Sequence, residues 1–201
     1  MDAIIQFLSS VFGERLATLI GAMIPLIELK GSIMFARLSG LGFLEGLLYS
    51  YLGSTAVFFI AFYLFKPLIN LLKRIKIFNL FAIAVEDYFV KKAEDSCDKN
   101  LGLTKKILFV FIYVAVPLPL TGVWTGSVIA LFLGLKFKQA FVPIVLGNLV
   151  AGVIISVLAE LCFDYLNIIL LVMLLLALVL FIIFLVKISI RIKNIKNSMQ
   201  N

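Results

Sequence analysis

The sequence predicts an all-α integral membrane protein: an inverted repeat of a re-entrant helical hairpin plus a transmembrane helix, followed by a C-terminal transmembrane helix. Three observations predict it. The 201 residues are 63% hydrophobic and only 14% charged, too apolar for a water-soluble globule. Lysine and arginine are distributed so that only one topology agrees with the positive-inside rule. The chain also matches itself at an offset of 94 residues. Residues 1–201 therefore read as a single membrane domain. Its parts are a first repeat half (14–66), a cytoplasmic amphipathic connector (67–106), a second half (107–162), a last transmembrane helix (168–186) and a basic cytoplasmic tail (187–201).

The elements follow in order. No basic leader precedes the first apolar stretch, so no removable signal peptide is expected. Leu16 to Ala36 has the length of a span but carries Pro25, Glu28, Lys30 and Gly31 in its middle, where each charge costs about 2.5–3.5 kcal/mol on insertion scales. Gly46 to Phe65, bounded by Glu45 and Lys66, has the length of a simple span. Pro67 to Asp98 mixes Lys73, Arg74 and Lys76 with Leu, Ile and Phe, the pattern of one or two helices lying on the membrane surface. Ile107 to Leu135 runs 29 residues without a charge, broken by Pro117, Pro119, Gly122 and Gly126. As one helix it would measure about 43 Å, too long for a hydrocarbon core of about 30 Å. Gln139 to Ala159 is a second span, and Ile168 to Val186, free of charge, Gly and Pro, is the third.

Charge placement decides how the two broken segments sit. Were both to cross fully, the basic loop Lys66–Lys106 and the basic stretch from Lys187 would face opposite sides. If both are re-entrant, loop, Leu135–Lys138 turn and tail share one face, which holds 15 of the 18 Lys and Arg residues, leaving Arg15 and Arg37 opposite and Lys30 in the membrane. The re-entrant arrangement is expected, in the plasma membrane, with the N-terminus outside and the C-terminus cytoplasmic. It also separates Cys97, inside, from Cys162, outside. The net charge of +7 then records topology, and no nucleic-acid partner is expected.

The self-match supports this. Sliding the chain by 94 residues pairs Pro25 with Pro119, Gly40 with Gly134, Phe43 with Phe137 and Gly53 with Gly147, among ten identities in 40 positions. The Pro and Gly pairs fall at breaks and turns. Inverted repeats with paired discontinuous helices point to a transporter whose site lies at the midplane.

Candidate site residues gather at the two breaks. Glu28 is an intramembrane carboxyl, the default candidate for carrying a proton, and Lys30 is a candidate to hold an anionic group. Gly31 and Pro25 invite an unwound backbone between them. In the second break Pro117 and Pro119 end a helix, Thr121 is expected to cap the next, and Gly122 and Gly126 let a ligand or backbone approach. A half-helix beginning there aims free amides and its positive end at the midplane. Trp124, Thr125 and the mid-span amide Asn148 complete the candidate substrate-binding set. Glu160 and Asp164 are expected to be solvated at the outer end of their helix.

Composition excludes other chemistry. These 201 residues contain no histidine, so histidine metal sites, Ser-His triads and imidazole relays are absent, and two cysteines form neither a zinc site nor a disulfide framework. Glu28 is the one buried acid, so an intramembrane hydrolase lacks its second group. No enzyme activity, metal or cofactor is expected.

The motifs Pro25-x-Ile27-Glu28-Leu29-Lys30-Gly31-Ser32-Ile33 and Val116-Pro117-Leu118-Pro119-x-Thr121-Gly122-x-Trp124-Thr125-Gly126 resemble those of the small multi-drug export proteins. That family is regarded as related to the DedA, or SNARE-associated (VTT-domain), membrane proteins. The resemblance spans roughly residues 10–165. It implies facing re-entrant hairpins and, by way of the DedA relatives, proton-dependent movement of polyprenyl phosphates or other lipids. Glu28 matches the motif acid, and Lys30 stands where Arg is common. The sequence departs at Met34, where Pro is frequent, and at Leu120, where Gly is frequent.

The expected function is a small proton-coupled secondary transporter moving an amphipathic anionic substrate or a polyprenyl-phosphate-like lipid. Alternatives are efflux of lipophilic cations, with Glu28 as counter-charge, and a non-transporting assembly role. Membrane lipids and the small amphipathic substrate are the expected partners. A homodimer is also expected, because three spans give little protein to shield two re-entrant backbones from lipid.

Overall fold

The computed structural model describes residues 12–96 and 102–198, and among these the chain is helical with no strand. Eight helices follow one another: α1 (Glu14–Met23), α2 (Glu28–Leu38), α3 (Phe43–Arg74), α4 (Asn79–Ser96), α5 (Leu103–Ala115), α6 (Val123–Phe132), α7 (Phe137–Leu161) and α8 (Leu166–Ser198). A 3₁₀ turn, Phe163–Tyr165, precedes α8. Three stretches are long and apolar enough to cross a membrane: α3, α7 and the Phe163–Asn197 stretch containing α8. The two interrupted segments are each split into short helices of 10 to 13 residues, α1 with α2 and α5 with α6.

The helix boundaries follow from local sequence. A residue before proline is pushed out of the helical region into extended backbone. Ile24, before Pro25, has φ −78° and ψ 127° and ends α1; Val116, before Pro117, has φ −69° and ψ 122° and ends α5. After the breaks, α2 and α6 stop on one device. Gly40 (φ 89°) and Gly134 (φ 75°) take the left-handed conformation that favours glycine, and the next amide turns back: Leu41 N–H donates to the Ala36 carbonyl and Leu135 N–H to that of Ala130, each at 3.0 Å.

The long helices that follow repeat the correspondence. Residues 51–60 and 145–154 share one pattern of buried and exposed positions, differing only at Thr55 and Leu149. Gly53 gives α1 room at Leu19 and Ala22, and Gly147 gives α5 room at Phe111 and Val114. The offset is therefore 94 residues after the breaks but 92 before them. This corrects the gapless pairing of Pro25 with Pro119: the counterpart of Pro25 is Pro117, and the second break is the longer one.

Two helices outrun their sequence limits. α3 continues through Pro67 to Arg74, because one proline removes only one backbone bond and Ile69 beyond it is buried. α8 continues past Lys187 into the stretch read as a tail, where Ile188 is buried with Ile69, Ala82, Ala84 and Val85. The connector α4 is thus docked rather than only lying on a surface. Arg191 pairs with Asp87, and Lys73 with Glu86, across the same region.

Two further cores surround the breaks. One is built on Phe58 with Val57, Val110, Val114, Val123 and Ile129, faced by Phe62, Phe137 and Phe141. The other joins Leu29, Ile33 and Met34 of α2 to Ala151 and Ile155 of α7 and Leu166 and Leu170 of α8. Glu160 is not simply solvated: it pairs with Arg37 at 2.8 Å, while Asp164 is exposed. Cys162 is a free, half-buried thiol, and Cys97 lies outside the described residues.

Candidate functional site

The tips of the four short helices meet, and the two charges of the first motif lie at the meeting point. Glu28 and Lys30 are 4% and 2% exposed, so the pair is out of solvent. Lys30 Nζ stands 3.4 Å from Glu28 Oε2. Side chains two apart on a regular helix do not face each other. The backbone makes the exception, because Glu28 has φ 52°, a left-handed value for a non-glycine residue. Such a residue costs of order 1–3 kcal/mol and persists only where its surroundings hold it.

Lys30 is fully engaged. Its ammonium donates to Glu28, to the carbonyl of Leu118 and, at 3.3 Å, to Thr121 Oγ1. An ammonium has three donors, so the set is complete. Two of the three acceptors belong to the second break, and the ion pair therefore stitches one interrupted segment to the other.

Glu28 rests on the second break. A Cβ added to Gly122 would stand 2.5 Å from Glu28 Oε2, so only glycine leaves room for the carboxylate. Gly122 is the N-cap of α6, which has no side-chain cap. The carboxylate thus occupies the positive end of a half-helix, a favourable position for an anion. Its other oxygen, Oε1, is buried without a hydrogen-bond partner.

The remaining predicted residues divide into those at this junction and those elsewhere. Thr121 is at the junction but does not cap α6: its hydroxyl lies 2.8 Å from the Val116 carbonyl and 2.7 Å from that of Leu118, holding the loop. A loop with two prolines has few amides of its own to satisfy its carbonyls, and that favours the hydroxyl turning back. Pro119 is buried and, with Leu26, Ile27, Glu28, Lys30 and Gly31, lines a cavity of about 10 Å³. Such a volume suits about one water. Pro25 is exposed and Pro117 half-buried.

Trp124 is a tie between the segments, its indole N–H donating to the Met23 carbonyl at 3.0 Å. Gly126 is a packing position, where a Cβ would meet Val114. Thr125 is half-buried in the first turn of α6. Asn148 is engaged elsewhere: it accepts from Ser54 at 3.2 Å and donates to Thr55 at 3.4 Å, tying α7 to α3.

Sequence reasoning missed five participants. The Leu118 carbonyl is a backbone group and carries no side-chain signal. Leu170, Met173 and Leu174 close the cavity from α8, whose sequence reads only as a lipid-facing span. Tyr113, whose hydroxyl donates to the Leu120 carbonyl at 3.4 Å, sits four residues before Pro117 in an apolar run, and that spacing was its only signal. Among the described residues no group of acidic or cysteine side chains could hold a metal.

Residues 28–154, well over half of the chain, match the family model described as "Putative small multi-drug export protein". The match begins at Glu28 and contains the first motif from that residue onward and the whole of the second. No curated protein and no solved structure matches the chain.

Proposed function

Because the chain belongs to the small multi-drug export protein family, we propose that it is a proton-coupled secondary transporter of an amphipathic anion, such as a polyprenyl-phosphate-like lipid. The observation that carries this reading is the buried Glu28–Lys30 pair at the N-terminus of α6. The site already holds an anion, and that anion is the protein's own carboxylate. Protonating Glu28 removes its charge, weakens its hold on Lys30 and leaves the α6 terminus without a counter-charge. A substrate phosphate then takes over both partners, and one proton travels with it. The cavity beside the pair has room for only about one water, so the state described is closed and loading requires Leu170, Met173 and Leu174 to move.

In this reading the interrupted segments are re-entrant hairpins and the halves are inverted, with kinship to DedA proteins and the first hairpin entering from outside. The matched turns at Gly40 and Gly134 support the repeat. The same reading puts the chain in the plasma membrane, N-terminus out and C-terminus cytoplasmic, which leaves Arg15 and Arg37 on the outer face, where Arg15 pairs with Glu45 at 2.7 Å and Arg37 with Glu160 at 2.8 Å. A homodimer belongs to the same reading, because three spans give little protein to shield two re-entrant backbones from lipid.

Flux of a short-chain isoprenyl phosphate into proteoliposomes tests the proposal. Glu28→Gln abolishes the response to an imposed pH gradient; unchanged flux at every gradient refutes proton coupling. A second reading, efflux of lipophilic cations, draws on the unpartnered Glu28 Oε1. Lys30→Gln separates the two: it cripples anion flux if the first holds, and spares or improves ethidium efflux if the second does.

A further inference from the structure

Outside the Glu28–Lys30 pair, Lys92, Lys187 and Arg191 gather at the junction of α4 and α8, and among the described side chains only Arg191 of the three has a carboxylate partner there. Lys92 Nζ lies 5.9 Å from the ring centre of Tyr88 and 5.5 Å from that of Tyr113, between two aromatic faces. It has no carboxylate partner among the described residues. Arg191 lies over the other side of the cluster, 5.6 Å from the Tyr88 ring, and is paired with Asp87. Lys187 precedes Arg191 by one helical turn on α8, and is close enough to Lys92 for the two charges to repel. Burial and that repulsion together hold the Lys92 ammonium below the usual lysine range. Two cations, Lys92 and Arg191, thus flank one tyrosine, and Lys187 lies on the face of α8 that carries Phe184 and Arg191 to it.

The depth of the cluster identifies what would complete it. Tyr165 to Val186 is an uncharged helical run of 22 residues, about 33 Å, so Lys187 is the first charge at the end of a membrane crossing. Tyr88 and Phe184, 5.0 Å apart, stand at the same level, as aromatic residues do where acyl chains give way to headgroups. Basic pockets between helices at this level take phosphate-bearing headgroups.

We infer that Lys92, Lys187 and Tyr88 form a binding site for a phosphate group, supplied by the headgroup of an anionic phospholipid in the leaflet that α4 lines. The phosphate bridges the two ammonium groups and relieves their repulsion, and its acyl chains lie along exposed Val179, Ile182 and Ile183 of α8. The inference does not rest on the transport proposal, since it concerns binding at a different set of residues.

Thermal unfolding of the full chain in neutral detergent provides the test. Added phosphatidylglycerol should raise Tm where phosphatidylcholine does not, and Lys92→Gln with Lys187→Gln should weaken the apparent affinity about 30-fold, the effect of two basic residues near a membrane surface. Lys136→Gln with Lys138→Gln, distant in sequence and in another turn, should leave it within about twofold. If the paired variant does not fold, the unaltered chain still decides. An amine-reactive label should modify Lys92 several-fold more slowly in vesicles containing phosphatidylglycerol than in pure phosphatidylcholine. Inorganic phosphate at millimolar concentration distinguishes the sources: no protection of Lys92 assigns the site to lipid, whereas protection equal to that of the lipid overturns the headgroup assignment. Equal labelling of Lys92 in both vesicle types, or an undiminished phosphatidylglycerol effect in the paired variant, overturns the site itself.

Discussion

Two side chains in the left-handed backbone region carry the local cost of the junction. Leu120 has φ 62°, the conformation for which glycine is favoured, so the departure from Gly noted in its motif carries a backbone cost. Leu120→Gly should therefore raise stability by about 1–2 kcal/mol, less the entropy that glycine adds to the unfolded chain, measured as a higher Tm in detergent. Gly122 has the opposite sensitivity. Gly122→Ala forces the Glu28 carboxylate off the α6 terminus, so the variant should fold yet lose pH-dependent flux by tenfold or more, while Gly122→Ser rescues nothing. A third prediction concerns Lys92, whose folded-state affinity for a proton is depressed by burial and Lys187. The unfolded chain then binds more protons as pH approaches the ordinary lysine value of 10.5, and stability of the α4–α8 contact should rise with pH in the window just below it. Hydrogen exchange across α4 should show that rise, and Lys92→Gln should remove it.

Among the elements, much was legible in the sequence and some was not. Both breaks announced themselves through Pro25 and Pro117, because proline disfavours helical backbone at the residue before it. That local bias ends α1 and α5, although α3 runs on through Pro67 and α7 through Pro143. The turns at Gly40 and Gly134 were legible for the same kind of reason, a local rule with no long-range term. The extension of α3 beyond Lys66 was not. It depends on Ile69 meeting Ile188, residues 119 apart, and no window of sequence contains both. The role of Thr121 was misread because capping and loop-holding use the same hydroxyl, and only the position of the Leu118 carbonyl decides between them. Glu28 and Lys30 were found because charges are conspicuous in an apolar run. That they occupy one another, and that Leu118 completes the set, was invisible. An element-scale prediction follows: Pro25→Ala should extend α1 and displace Ile24, separating Glu28 from Gly122. Cysteines placed at residues 20 and 36 should report it through altered accessibility, and unchanged labelling would detach the break from the proline.

For the molecule as a whole, the three long helices differ in how they are held. α3 and α7 are buried along one face by the short helices, whereas only 11% of the apolar window of α8 is buried. α8 nevertheless touches two places that matter. Leu170 and Leu174 wall the cavity beside Glu28, and Lys187 with Arg191 joins the cluster around Tyr88. Between Leu166 and Ser198 there is neither Gly nor Pro, and so no residue at which a helix ordinarily bends. A rod of this kind acts as a lever. Displacing its upper half to admit a substrate must also shift Lys187 and Arg191, so the two sites share one mechanical degree of freedom. On the two proposals above, a headgroup that seats that end of α8 would change affinity at the other, and by the same amount in reverse. Occupying the Glu28 site with an isoprenyl phosphate should therefore alter the labelling rate of Lys92, and a glycine pair inserted near Leu178 should uncouple the two without abolishing either.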